Sequence, residues 1–112
     1  MLPAFLKKTY GIDITQKLIR AEVGGKEITI FGRAKRNGDV VIVVGEAKLR
    51  LEDRKKRGKK DVFAELEDKV EAVREQYRKE DVLRILVTHY ATKGFMKKAQ
   101  DRDVLVVQSF EW

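Results

Sequence analysis

The apolar positions change period along the chain, and each change marks an element. In residues 1–8, Leu2, Phe5 and Leu6 share one side of a helical repeat, and Pro3 suits a first turn. Gly11 ends this helix, whose brevity leaves room for a segment upstream. Residues 15–23 alternate as a strand does, with Leu18, Arg20 and Glu22 on one parity and Ile19, Ala21 and Val23 on the other. Gly24-Gly25 is a two-residue hairpin signal. Residues 26–35 form a second strand, with Ile28, Ile30, Gly32 and Ala34 on its smoother face. Asn37-Gly38 is a second and stronger hairpin signal. Residues 39–51 form a third strand, and its centre, residues 40–44, is apolar on both faces. Such a strand is usually central and covered on both sides.

Arg54, Lys55, Lys56, Arg57, Lys59 and Lys60 put six cations in seven positions, which reads as a loop. Asp61 is a good N-cap for a helix beginning at the next residue. Val62, Phe63, Leu66, Val70, Val73 and Tyr77 recur at helical spacing, so that helix should run to about residue 79. Residues 82–90 form a strand centred on Ile85-Leu86-Val87. Residues 92–100 form a short helix with Phe95, Met96 and Ala99 as its apolar contacts, and residues 104–107 a last buried strand. The expected order is α-β-β-β-α-β-α-β. Tight turns make the first three strands an antiparallel meander, and the helices between later strands suit parallel crossovers. The fold class is therefore α/β, a mixed sheet with helices on its faces. One domain is expected over residues 1–112: an opening helix (1–11), a meander (15–51), a basic loop (54–60) and an α-β-α-β unit (61–112).

Composition narrows the chemistry. The chain has 112 residues, 43% of them hydrophobic, which is enough for one core. It has no cysteine, so a disulfide scaffold and a cysteine zinc site are excluded. His89 is the single histidine, which excludes a multi-histidine metal site and reads as a structural residue. No apolar run approaches the ~18 residues of a membrane span and no secretory signal is present, so a soluble cytoplasmic protein with no membrane partner is expected. Lys and Arg number 25 against 18 Asp and Glu, and the resulting net charge of +7 permits an anionic partner such as nucleic acid. Charged residues reach 38% beside only five Asn and Gln, which is also how a thermophile's protein looks.

Candidate chemistry centres on Glu46-Ala47-Lys48, directly after the apolar strand and Gly45. On a strand, residues i and i+2 share a face, so a carboxylate and an ammonium project side by side. Glu67-Asp68-Lys69 has the same form but lies on a helix, where i and i+2 diverge. The hairpin registers extend the constellation. Two-residue turns place Glu46 opposite Thr29, Lys48 opposite Glu27, Glu22 opposite Glu27 and Arg20 opposite Thr29. One sheet face would then carry Glu22, Glu27 and Lys48 in one row and Arg20, Thr29 and Glu46 in the next, provided no bulge intervenes. Three carboxylates and a lysine on one face suggest a Mg²⁺ (or Mn²⁺) site for phosphodiester hydrolysis, with Glu46, Glu27 and Glu22 as ligands and Lys48 stabilising negative charge. The alternative is a salt-bridge ladder across strands with Glu27 pairing Lys48. The basic run Arg54 to Lys60 could track a phosphate backbone beside this site.

From about Thr15 onward the sequence resembles the PD-(D/E)XK nuclease-like superfamily, which includes archaeal Holliday-junction resolvases and restriction endonucleases. The likeness rests on the meander, on Lys26-Glu27-Ile28-Thr29-Ile30-Phe31-Gly32 with its basic Asn-Gly turn, and on residues 40–44 leading into Gly45-Glu46-Ala47-Lys48. The resemblance implies a restriction-endonuclease-like fold, Glu46 as a metal ligand, Lys48 as the catalytic lysine, and DNA as partner. It also implies a homodimer, by analogy of fold. The superfamily places an aspartate on the second strand, and here that position holds Thr29, a poor ligand for Mg²⁺. Either Glu27 or Glu22 substitutes, or the site is degenerate and Arg20 pairs with Glu46. The second case leaves a nucleic-acid-binding or protein-interaction module.

Overall fold

A computed structural model of the chain describes residues 2–16, 18–51 and 61–108. The chain opens with α1 (Leu2–Tyr10), which Gly11 terminates in the left-handed region while its amide bonds back to the Lys7 carbonyl at 3.1 Å. The strands β1 (Ile12–Ile14), β2 (Ile19–Val23), β3 (Lys26–Arg36) and β4 (Asp39–Leu51) come next. Then come α2 (Val62–Gln76), β5 (Asp81–Ala91), α3 (Lys93–Asp101) and β6 (Val104–Gln108). The bounds of β4 are those expected, because its apolar centre and the Asn37-Gly38 turn fix them. Asn37 and Gly38 both have positive φ, as a tight hairpin turn needs, and Arg36 pairs with Asp39 across it.

The strand expected over residues 15–23 begins only at Ile19, and an unexpected short strand, β1, precedes it. The edge beside β3 is broken: β1 pairs with its far end, at residues 34–36, and β2 with its near end, from Lys26 to Phe31. Between them, the amides of Thr15 and Gln16 both bond to the Arg33 carbonyl, at 2.9 and 3.1 Å. The true order is thus α-β-β-β-β-α-β-α-β. The sheet runs β1-β3-β4-β5-β6 with β2 also on β3. β3 and β4 are antiparallel, while β4–β5 and β5–β6 are parallel, their crossovers supplied by α2 and α3.

The core lies on both faces of this mixed sheet. Ile42 and Val44 face one layer, built with Phe63, Leu66, Val70 and Val73 of α2 and Phe95 and Ala99 of α3. Phe63 and Phe95 stack there with centroids 4.8 Å apart. Val41 and Val43 face the other layer, with Leu6 of α1, Ile12, Ala34, Ile85 and Val107. Alternate residues of β4 therefore serve two cores, which is why its sequence shows no polar face.

Candidate functional site

β4 reaches the site through Gly45. A Cβ on this residue would lie 2.4 Å from Ile85 Cγ2 and 2.6 Å from the Ile85 carbonyl oxygen, so only glycine lets β4 sit against β5 here. The next residue is Glu46, 5% exposed and on the parity of Ile42 and Val44, hence on the α2 side of the sheet. The β3–β4 ladder ends at Ile30 opposite Gly45. One step further, the Thr29 hydroxyl donates to Glu46 Oε2 at 2.6 Å, so the expected neighbourhood of Thr29 and Glu46 is real. Glu46 Oε1 accepts from the ammonium of Lys69 on α2. Lys48 shares this face and pairs with Glu65 of α2 at 3.7 Å.

The expected acidic rows do not form. Glu22 does lie opposite Glu27, as the Gly24-Gly25 turn requires. Ala21, however, meets Ile28 while Ile19 meets Phe31, so β3 spends three steps where β2 spends two. The extra residue is a β-bulge, and it inverts the parity of β3. Ile28 and Phe31 consequently pack into the same core layer although they are three apart. Ile28 leaves the face expected for it, where Ile30 and Ala34 remain. Glu27 and Glu22 then project to the face opposite Glu46. Glu27 forms a salt bridge with Arg20 at 3.0 Å, with both side chains about two-thirds exposed. Arg20 is therefore neither opposite Thr29 nor paired with Glu46, and Glu27 does not form the expected ladder with Lys48.

Among the described residues, the donors around Glu46 do not fit Mg²⁺ or Mn²⁺. Glu46 is a single carboxylate, one of its oxygens taken by a hydroxyl and the other by an ammonium. Among the described residues, no three Asp, Glu or His side chains are grouped closely enough to hold a metal ion. The six cations Arg54, Lys55, Lys56, Arg57, Lys59 and Lys60 lie outside the described residues. His89 is exposed at the end of β5.

Sequence reasoning assigns no role to Lys69 or Glu65, yet these are the partners of the motif. A signal for them exists. Glu46 and Lys48 are two strand residues apart, about 6.6 Å. Glu65 and Lys69 are four helix residues apart, about 6.0 Å along the axis. The crossover helix runs back along the sheet, so the two pairs meet in reverse order: Glu46 on Lys69 and Lys48 on Glu65. Arg84 of β5 adds a third link, to Glu67 of α2.

Comparison with known proteins agrees with this architecture. A crystal structure of a repair endonuclease from Pyrococcus abyssi is similar, with a TM-score of 0.61 and 17% sequence identity. The match covers 96% of this chain and 44% of that one, so this chain spans less than half the length of its neighbour. The likeness establishes a restriction-endonuclease-like fold. No curated protein matches the sequence. Among the described residues, no helix is long and apolar enough to cross a membrane. A family model described as a domain of unknown function, DUF8196, matches residues 1–111, and the chain belongs to that family.

Proposed function

We propose that this protein is a catalytically degenerate member of the PD-(D/E)XK nuclease-like superfamily that binds nucleic acid, DNA in the first instance, without hydrolysing it. The observation that carries the reading is the Lys69 ammonium on Glu46, beside Thr29 at the position of the superfamily's aspartate. Magnesium keeps several waters and is held by one or two carboxylates in near-octahedral geometry. Here an ion at Glu46 would have to displace an ammonium and leave that charge about four-fifths buried. Lys69 instead supplies the positive charge that Glu46 requires. Binding is supported by the surplus of seven cations, by the basic run after β4, and by the likeness to a repair endonuclease.

The test is an incubation of the protein with duplex, flap, junction and single-stranded DNA in Mg²⁺ or Mn²⁺, beside a filter-binding titration over a range of salt. The expected result is no cleavage, with binding that weakens as salt rises. Cleavage that Glu46→Ala or Lys48→Ala abolishes would overturn the degenerate reading. Absence of binding at low salt would overturn the nucleic-acid reading.

A further inference from the structure

β6 is an outer strand of the sheet: among the described residues, β5 is its only strand partner. Its sequence, Val-Leu-Val-Val-Gln, holds neither lysine nor proline, the residues that commonly keep an edge from pairing. A groove of about 650 Å³ is lined by Val104, Leu105, Val106 and Gln108 of this strand. One stripe of α3 forms a wall: Lys93, Met96, Lys97 and Gln100, spaced i, i+3, i+4 and i+7. Arg36 of β3 lines the groove as well. Lys93, Lys97 and Arg36 are exposed, and none forms a salt bridge with another described residue. Among the described residues that line the groove, Asp103 is the one acid. An apolar strand edge thus meets a surplus of uncompensated positive charge.

We propose that this groove takes an extended acidic segment of a partner protein, which adds to the sheet as a strand beside β6. Such a partner is separate from the nucleic acid proposed above. Strand addition draws its affinity from main-chain hydrogen bonds and its selectivity from alternate side chains. The spacing of the charges fits it. Lys93 and Lys97 are four helix residues apart, about 6.0 Å along the axis. Acids at alternate positions of an added strand recur every 6.6 Å, roughly the same distance. The same match already seats Glu46 and Lys48 of β4 on Lys69 and Glu65 of α2. α3 covers the layer that holds Val104 and Val106, so the acids of the added strand lie on that face. Its apolar side chains then turn to the other face, beside Leu105. A nucleic-acid backbone would meet the cations but leave the strand edge and the apolar lining unused. A second copy of this chain, paired edge to edge, would bring two cationic walls together.

The experiment is fluorescence anisotropy of a short labelled peptide of alternating valine and glutamate, titrated with the intact chain. This peptide should bind, and its valine–lysine counterpart should show no saturable binding. Lys93→Gln/Lys97→Gln should weaken the acidic peptide by about tenfold, the range of two exposed ion pairs. Both side chains are exposed, so the double variant should keep its fold, which circular dichroism checks. N-methylation of the peptide at alternate residues removes the amide donors from one of its edges. Methylation at one parity should abolish binding, and at the other it should leave the affinity within about twofold. No binding of the acidic peptide, or binding indifferent to the double variant or to both methylations, overturns the proposal. Tighter binding of oligothymidylate, lost in the same double variant, assigns the groove to nucleic acid and overturns it as well.

Discussion

Glu46 illustrates how the position of a residue can be read from a sequence while one of its partners cannot. Its burial and its bond to Thr29 follow from the apolar run and the hairpin turn. Its cationic partner, Lys69, comes from α2. A buried carboxylate stripped of its partner is far more costly than the pair itself. Lys69→Met should therefore destabilise the fold by roughly 2–4 kcal/mol, somewhat below the range for a wholly buried pair, because the Lys69 side chain keeps about a fifth of its exposure. The double variant Glu46→Gln/Lys69→Met should recover part of the loss, since neither charge is then orphaned. Urea unfolding midpoints measure both. A double variant no better than Lys69→Met would show that packing, not charge, sets the cost.

At the scale of elements, α2 decides the site, because it carries Glu65, Glu67 and Lys69 onto the sheet. Its start is set by Asp61, whose carboxylate accepts from the Phe63 amide at 3.0 Å. Asp61→Ala should cost about 1 kcal/mol. In a thermal melt followed by circular dichroism this should lower the midpoint by a few degrees. The cap, the helix stripe and the bounds of β4 are legible in the sequence because each rests on local chemistry. The bulge in β3 is not. No glycine or proline marks it between Ile28 and Phe31, and the alternation on either side is sound. Nor is the split edge, since the break between Ile14 and Ile19 depends on where β3 offers its carbonyls. Three carboxylates placed on one face by counting are thus divided between two by a single inserted residue. Lys69 is hidden for a different reason: on a helix rich in both signs, nothing local separates a charge facing water from one facing the sheet.

For the whole molecule, the governing fact is that two core layers share one strand. Val41 and Val43 belong to one layer and Ile42 and Val44 to the other, so neither layer can come apart while β4 stays intact. Differential scanning calorimetry should show one transition, with calorimetric and van't Hoff enthalpies equal. Two resolved transitions would mean that the α1 layer and the α2–α3 layer are separate units, against the single domain expected from the sequence.

The tight turn at Asn37-Gly38 also bears on the order of events in time. It lets β3 and β4 meet as chain neighbours, an encounter of microseconds for a hairpin. β4 can meet β5 only after the chain has spanned the whole of α2. Glu46 should therefore gain Thr29 before Lys69. Contacts made after the folding barrier govern how fast a protein falls apart rather than how fast it assembles. The Glu46–Lys69 pair should then act as a latch on the finished molecule: Lys69→Met is expected to raise the unfolding rate more than it lowers the folding rate, which stopped-flow kinetics measure.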